Sequence, residues 1–244
     1  MKTLQIGLGW FPEEPSGLDR VYYNCIQYLP KVDVEVKGLV AGSKKVSQDS
    51  QGKVRAFAPP DSTLIQRCQE VRKSARQLLA KSDYSLIVSH FALYTFPMLD
   101  LIGDRPLVIH FHGPWALESG VETNKNFAVK VKKLLEQSVY RRSQEFIVLS
   151  QTFRDILHQE YQVPLEKINI IPGGVYIDRF NINLSPIEAR SQLGWHQDRP
   201  IIFCIRRLAK RMGLENLVTA MAKVRTVYPD ILLYIAGKGE LTTI

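Results

Sequence analysis

The run Leu107-Val108-Ile109-His110-Phe111-His112 is apolar at consecutive rather than alternate positions over Leu107–Ile109, holds His110 before Phe111, and ends on His112, after which Gly113-Pro114 turn the chain. A strand that is hydrophobic on both faces belongs inside a parallel sheet with helices on either side. Seven more short runs, most of them apolar nearly throughout, are predicted as strands: Leu4–Leu8, Val34–Val40, Leu86–Ser89, Phe146–Leu149, Ile168–Ile171, Ile201–Ile205 and Ile231–Ala236.

Between the runs the spacing changes to that of helices. Leu18, Val21, Tyr22, Cys25, Ile26 and Leu29 form one apolar stripe. Phe127, Val131, Leu134, Leu135 and Val139 form a second, and Leu214, Leu217, Val218 and Met221 a third. Strand–helix alternation of this kind predicts an α/β protein with parallel sheets. Pro172-Gly173-Gly174 breaks the pattern, and Tyr176–Pro186 has no clear period. The expected organisation is a near-complete Rossmann-like domain over 1–174, a linker over 175–199, and an incomplete second Rossmann-like domain over 200–244. Two strands and one helix cannot cover both faces of a sheet, so either the chain is a fragment or something else supplies the rest.

The 244 residues are 45% apolar and 23% charged, which excludes disordered and low-complexity classes. No apolar run approaches membrane-spanning length. The N-terminus lacks a signal-peptide cleavage pattern, and Cys25, Cys68 and Cys204 are too scattered for a disulfide framework. A cytoplasmic protein is expected. The net charge of +8 is concentrated in two segments. Lys125, Lys130, Lys132, Lys133, Arg141 and Arg142 face only Glu136 in one; Arg206, Arg207, Lys210 and Arg211 face no acid in the other. Such clusters suggest local anionic partners.

Several chemistries are excluded by motif. Gly7-Leu8-Gly9 stops short of a dinucleotide fingerprint because Pro12 stands where its third glycine is needed. No Asp-x-Asp pair and no Gly-x-Ser-x-Gly elbow occur. His110 and His112 share a strand face, but no cysteine or carboxylate nearby in sequence completes a zinc set, so no metal is expected. No nucleic-acid motif occurs. What remains is the carboxyl edge of the sheet, where ligands of open α/β folds bind. Ser16 caps a helix whose Gly17 leaves backbone amides uncovered for phosphate, with Asp19 in the place of a capping-box acid. His90 and His112 end two strands. Arg206–Arg211 meets a further helix start, where an anion would relieve the crowded cations.

These residues resemble the family 4 (group 1) retaining glycosyltransferases of the GT-B fold. Ser16-Gly17-Leu18-Asp19-Arg20 is similar to the family's Gly-Gly-x-x-Arg loop, and His112-Gly113-Pro114 to its His-Gly. Ile147-Val148-Leu149-Ser150 and Ile171-Pro172-Gly173-Gly174-Val175 resemble its next strand and its interdomain segment. Arg207-Leu208 through Met212-Gly213, then Ile235-Ala236-Gly237-Lys238-Gly239, resemble the opening of its donor domain. Met212 replaces the family's lysine, and Gly173 and Tyr176 replace an asparagine and an aspartate. The family's Glu-x7-Glu segment does not occur, so the chain is expected to be truncated and inactive alone.

The resemblance implies sugar transfer from a nucleotide-sugar donor to a glycan or lipid-linked acceptor, with retention and without metal or other cofactor. It implies His112 as the catalytic residue beside the sugar. Gly17, Arg207, Lys210 and Arg211 are expected at the donor diphosphate, and Arg20 and His90 on the acceptor side. A peripheral position on the inner membrane face follows from the basic segment. The competing reading is a non-enzymatic module that binds an anionic membrane surface through the basic 125–142 helix.

Overall fold

A computed structural model describes residues 1–122 and 126–239 of the chain. These form two compact units, the first ending at Gly173 and the second beginning at Gly174. The first is built on a seven-stranded parallel sheet. Its strands are β1 (Lys2–Ile6), β2 (Glu35–Ala41), β3 (Val54–Ala58), β4 (Leu86–Ser89), β5 (Leu107–Phe111), β6 (Glu145–Val148) and β7 (Ile168–Ile170). Their spatial order is β3-β2-β1-β4-β5-β6-β7. The order reverses between β1 and β4, and that point is where the sheet opens a crevice for ligands.

The principal helices of this unit are α1 (Gly17–Tyr28), α2 (Lys45–Asp49), α3 (Leu64–Lys81), α4 (Ala92–Thr95), α5 (Trp115–Glu122), α6 (Asn126–Arg142) and α7 (Gln151–Tyr161). Side chains from alternate strand positions fill two cores. Leu4, Ile6, Ile87, Ile109, Phe111 and Phe146 pack in one; Trp10, Tyr22, Ile26, Val36, Val40 and Val54 pack in the other. Burial on both faces is what the unbroken apolar runs require. β3 was not among the predicted strands. It lies at the sheet edge, where Arg55 remains exposed and the apolar run is interrupted.

Helix α6 departs from expectation. Val139 is buried and Leu135 partly so, but Phe127, Val131 and Leu134 face solvent, with Phe127 82% exposed. Only the C-terminal half of the predicted stripe reaches the core. Lys125 lies outside the described residues.

The described second unit contains α8 (Pro186–Leu193), β8 (Ile201–Ile205), α9 (Leu214–Val224) and β9 (Leu232–Ala236), with β8 and β9 parallel. α8 lies within the segment expected to be linker. Ser185 and Glu188 form its capping box, Pro186 opens it, and Gly194 closes it in the left-handed conformation. Trp195 packs edge-on against Phe203 and Tyr234 at 5.2 and 4.9 Å. Among the described residues, no helix is long and apolar enough to cross a membrane.

Candidate active site at the carboxyl edge of the sheet

The loop after β1 is fastened to the start of α1. Ser16 Oγ accepts the Asp19 amide at 3.1 Å, as an N-cap should. The Asp19 carboxylate does not turn back onto the cap amide. It accepts the Gly9 amide at 2.8 Å and the Ser16 hydroxyl at 2.6 Å, so its role is to hold the β1 loop against the helix. Burial raises its pKa, and the bonds from Ser16 and Gly9 oppose the rise. Gly17 is exposed, with open space where a Cβ would stand. Arg20 is exposed and stacks its guanidinium over the Phe11 ring at 4.6 Å.

Beyond β4 and β5 the structure gathers three histidines. His90 Nδ1 lies 3.1 Å from His112 Nε2, and the two rings stack with centroids 5.4 Å apart. The His110 ring centroid is 4.6 Å from that of His112 and 5.0 Å from that of His90. On its other side, His90 Nε2 meets the Gln5 amide oxygen at 2.9 Å. Burial drives the His90 pKa well below the ordinary histidine range, with His112 and His110 adding to the shift. Burial lowers His110 to about 4. Burial, helped by His110, lowers His112 to about 3. All three are therefore neutral at pH 7, and His112 works there as a hydrogen-bonding group rather than as an imidazolium.

His90 is only 3% exposed and both its nitrogens are engaged, so direct contact with an acceptor is closed to it. Gln5 was missed by sequence reasoning. Its signal was a polar residue between the apolar Leu4 and Ile6 of an interior strand. Cys25, distant in sequence, comes close enough that its sulfur and one nitrogen each of His90 and His110 lie within 4.8 Å of one another. Within that trio both nitrogens of His90 already have hydrogen-bond partners, His112 and Gln5.

The His112 turn is also held from the helical side. Gly113 has φ +137°, a left-handed backbone, and a Cβ there would come 2.9 Å from Glu118 Oε1. Directly after it, α5 starts against Glu136, the lone acid of the basic helix. Glu136 is 1% exposed and accepts the Ala116 amide at 3.3 Å and the Tyr161 hydroxyl at 2.6 Å. Burial raises its pKa, and the Tyr161, Ala116, Tyr140 and Trp115 hydrogen bonds pull the other way.

The second unit carries the basic loop. Arg207 and Lys210 are exposed after β8, while the Arg211 side chain lies outside the described set. Arg206 N donates to Ala236 O at 3.0 Å and Leu208 N to Lys238 O at 2.9 Å, extending the β8–β9 ladder through both loops. Gly237 is needed there because a Cβ would collide with the Arg206 carbonyl. The two glycine-bordered segments are thus one loop pair. It presents Arg207 and Lys210 beside the start of α9.

Comparison with known proteins bears on this geometry. The chain is similar to the UDP-Gal:alpha-D-GlcNAc-diphosphoundecaprenol alpha-1,3-galactosyltransferase of Escherichia coli. They are 26% identical over 250 residues, covering 93% of this chain and 60% of that enzyme. Among solved structures it resembles Anabaena HepE in complex with UDP, with TM-score 0.69 and 18% identity over 98% of this chain and 61% of that one. It also resembles the catalytic domain of starch synthase IV from Arabidopsis thaliana bound to ADP and acarbose. The TM-score there is 0.71 at 14% identity, over 98% of this chain and 69% of that one. The chain spans about 60% of the length of the first two. These neighbours share its α/β architecture, and the fold is of the GT-B type. The model for Glycosyltransferase Family 4 matches residues 15–179, from the cap of α1 through the His112 turn and past β7. The chain belongs to Glycosyltransferase Family 4.

Proposed function

We propose that the protein transfers a sugar from a nucleotide-sugar donor to a hydroxyl of a glycan or lipid-linked glycan, with retention and without a metal or other cofactor. The bond from the anomeric carbon to the diphosphate breaks with its electron pair on the phosphate oxygen. The acceptor oxygen bonds the anomeric carbon from the same face, and its proton passes to the departing diphosphate. Gly17 lets the α1 amides approach that diphosphate, and Arg207, Lys210 and Arg211 stabilise its growing charge. His112 stands beside the sugar, and Arg20 serves the acceptor side. A cavity of about 480 Å³ lined by Gly9, Trp10, Glu13, Asp19, Asp61 and Tyr94, among others, suits a hydroxyl-rich acceptor.

The observation that carries this reading is the family match across residues 15–179, which takes in both Gly17 and His112. The Escherichia coli relative, named for UDP-Gal and a diphosphoundecaprenol-linked acceptor, supports the substrate classes. The test supplies radiolabelled UDP-sugars or GDP-mannose with a polyprenyl-diphosphate-linked saccharide. Label is expected in the lipid phase, in the donor's anomeric configuration and equally with EDTA present. Hydrogen exchange with UDP reports binding separately, through protection at Gly17–Leu18 and Arg206–Lys210. Neither transfer nor protection would sink the proposal.

One observation favours membrane attachment as well. Phe127, Val131 and Leu134 are 82%, 48% and 62% exposed at helical spacing, beside exposed Lys130. Lys132 and Lys133 are partly committed to Ser119 and Glu160. An apolar stripe with basic neighbours is the pattern of a helix lying in a membrane interface. The protein then sits peripherally on the anionic cytoplasmic leaflet, without nucleic acid as a partner. Flotation with anionic but not zwitterionic vesicles is expected, and Phe127→Glu should abolish it. Unaltered flotation of that variant would remove α6 from the contact.

A further inference from the structure

Gln5 lies in an interior strand of the sheet and is 2% exposed. Its bonds form a chain that ends at His112. The Thr3 hydroxyl donates to the Glu35 carbonyl at 3.5 Å and accepts from Gln5 Nε2 at 3.1 Å. That bond turns the Gln5 carbonyl oxygen towards His90 Nε2, 2.9 Å away. An amide oxygen only accepts, so His90 Nε2 carries the proton. A neutral imidazole has one N–H, so His90 Nδ1 is a bare lone pair. The nitrogen opposite it, His112 Nε2 at 3.1 Å, must then be the donor.

We infer that Gln5 and His90 are positioning residues that hold His112 as the Nε2–H tautomer, leaving its Nδ1 as a hydrogen-bond acceptor. Among the described residues His112 Nδ1 has no partner, so this atom is the one left for substrate. The depressed pKa of each histidine agrees with neutral rings throughout. Resting on the proposed sugar transfer, the inference adds a substrate requirement. The transferred sugar must offer His112 a free hydroxyl. A deoxy or O-methyl sugar at that position has no hydrogen to give and leaves Nδ1 unpaired.

Long-range proton–nitrogen correlation spectra of the histidine-labelled chain test this without requiring turnover. His112 is expected to show a pyrrole-type Nε2 and a pyridine-type Nδ1. Gln5→Leu should convert it to a mixture of tautomers, and Gln5→Glu, whose carboxylate still accepts, should restore the single form. A merely structural role for Gln5 would leave the tautomer unchanged. In transfer assays Gln5→Leu should lower kcat about tenfold with an unchanged donor KM. A protonated Nδ1 in the wild-type spectrum overturns the inference even if Gln5→Leu fails to fold, as does an unchanged His112 tautomer in folded Gln5→Leu. A correct tautomer in a protein that transfers no sugar would instead fault the proposed function.

Discussion

The Tyr161 hydroxyl donates to the buried Glu136 carboxylate at 2.6 Å, a buried contact that helps tie α7 to α6 beside the start of α5. Glu136 is thus the anchor on which the turn after His112 is set. A buried carboxylate persists when its lone pairs are filled, and here hydroxyl and backbone donors fill them.

Removing that anchor should be costly. Glu136→Ala leaves the Tyr161 hydroxyl and the Ala116 amide unpaired, and each buried orphan costs about 1–3 kcal/mol. Glu136→Gln keeps an acceptor and avoids a buried charge, so it should lose less than Glu136→Ala. Urea unfolding of the two variants measures the difference. An alanine variant as stable as the wild type would show that the cluster holds nothing in place.

The histidines set a pH dependence with a definite sign. Their folded-state pKa values lie below the ordinary 6.5, with His110 at about 4 and His112 at about 3. The unfolded chain therefore binds more protons below pH 6.5, and stability falls as pH falls. Each ring that stays neutral when folded adds a slope of about 1.4 kcal/mol per pH unit. The urea midpoint should drop between pH 6.5 and 5, and His110→Gln should flatten the slope by one proton. A level midpoint in the wild type would mean that the rings are not excluded from charge.

Gly113→Ala places a Cβ on a backbone with φ +137° and 2.9 Å from Glu118 Oε1. The strain should cost on the order of 1–3 kcal/mol and displace His112. Thermal unfolding reports the first effect, and the His112 nitrogen shifts report the second. Normal values of both would show the glycine to be dispensable.

Gly17→Ala makes the opposite case, because its Cβ would meet open space. Stability should stay within about 1 kcal/mol of wild type, since alanine is the better helix former. UDP binding should nevertheless weaken if the diphosphate approaches this backbone. Arg207→Ala should likewise weaken UDP binding by about 1.5–3 kcal/mol, the worth of a hydrogen bond to a charged group. Calorimetry on both variants decides, and unaltered UDP affinity would take the residue concerned out of the donor site.

Much of the fold could be read locally. Strands β4 and β5 keep apolar residues at most positions and are buried almost throughout, as strands inside the sheet should be; β1, with Thr3 and Gln5 inside it, departs from this. Helix α8 is equally legible in the sequence: Ser185, Pro186, Glu188 and Gly194 mark its two ends. For α6 periodicity was not enough, since Phe127 and Val139 obey one spacing but only Val139 meets a core.

His90 and His112 at strand ends, Gly17 at a helix start and Arg207 in a basic loop are properties of short segments, and sequence alone located them. Their partners are another matter. Gln5 reaches His90 across 85 positions because β1 and β4 are neighbours in the sheet. Glu136 meets Tyr161 because α6 and α7 pack together, and Cys25 approaches His90 and His110 because α1 lies over the same crevice. Periodicity reports which face of an element is buried, whereas strand order and helix packing decide what that face touches. The hydrogen-bond chain that orients His112 therefore exists only once the sheet has formed.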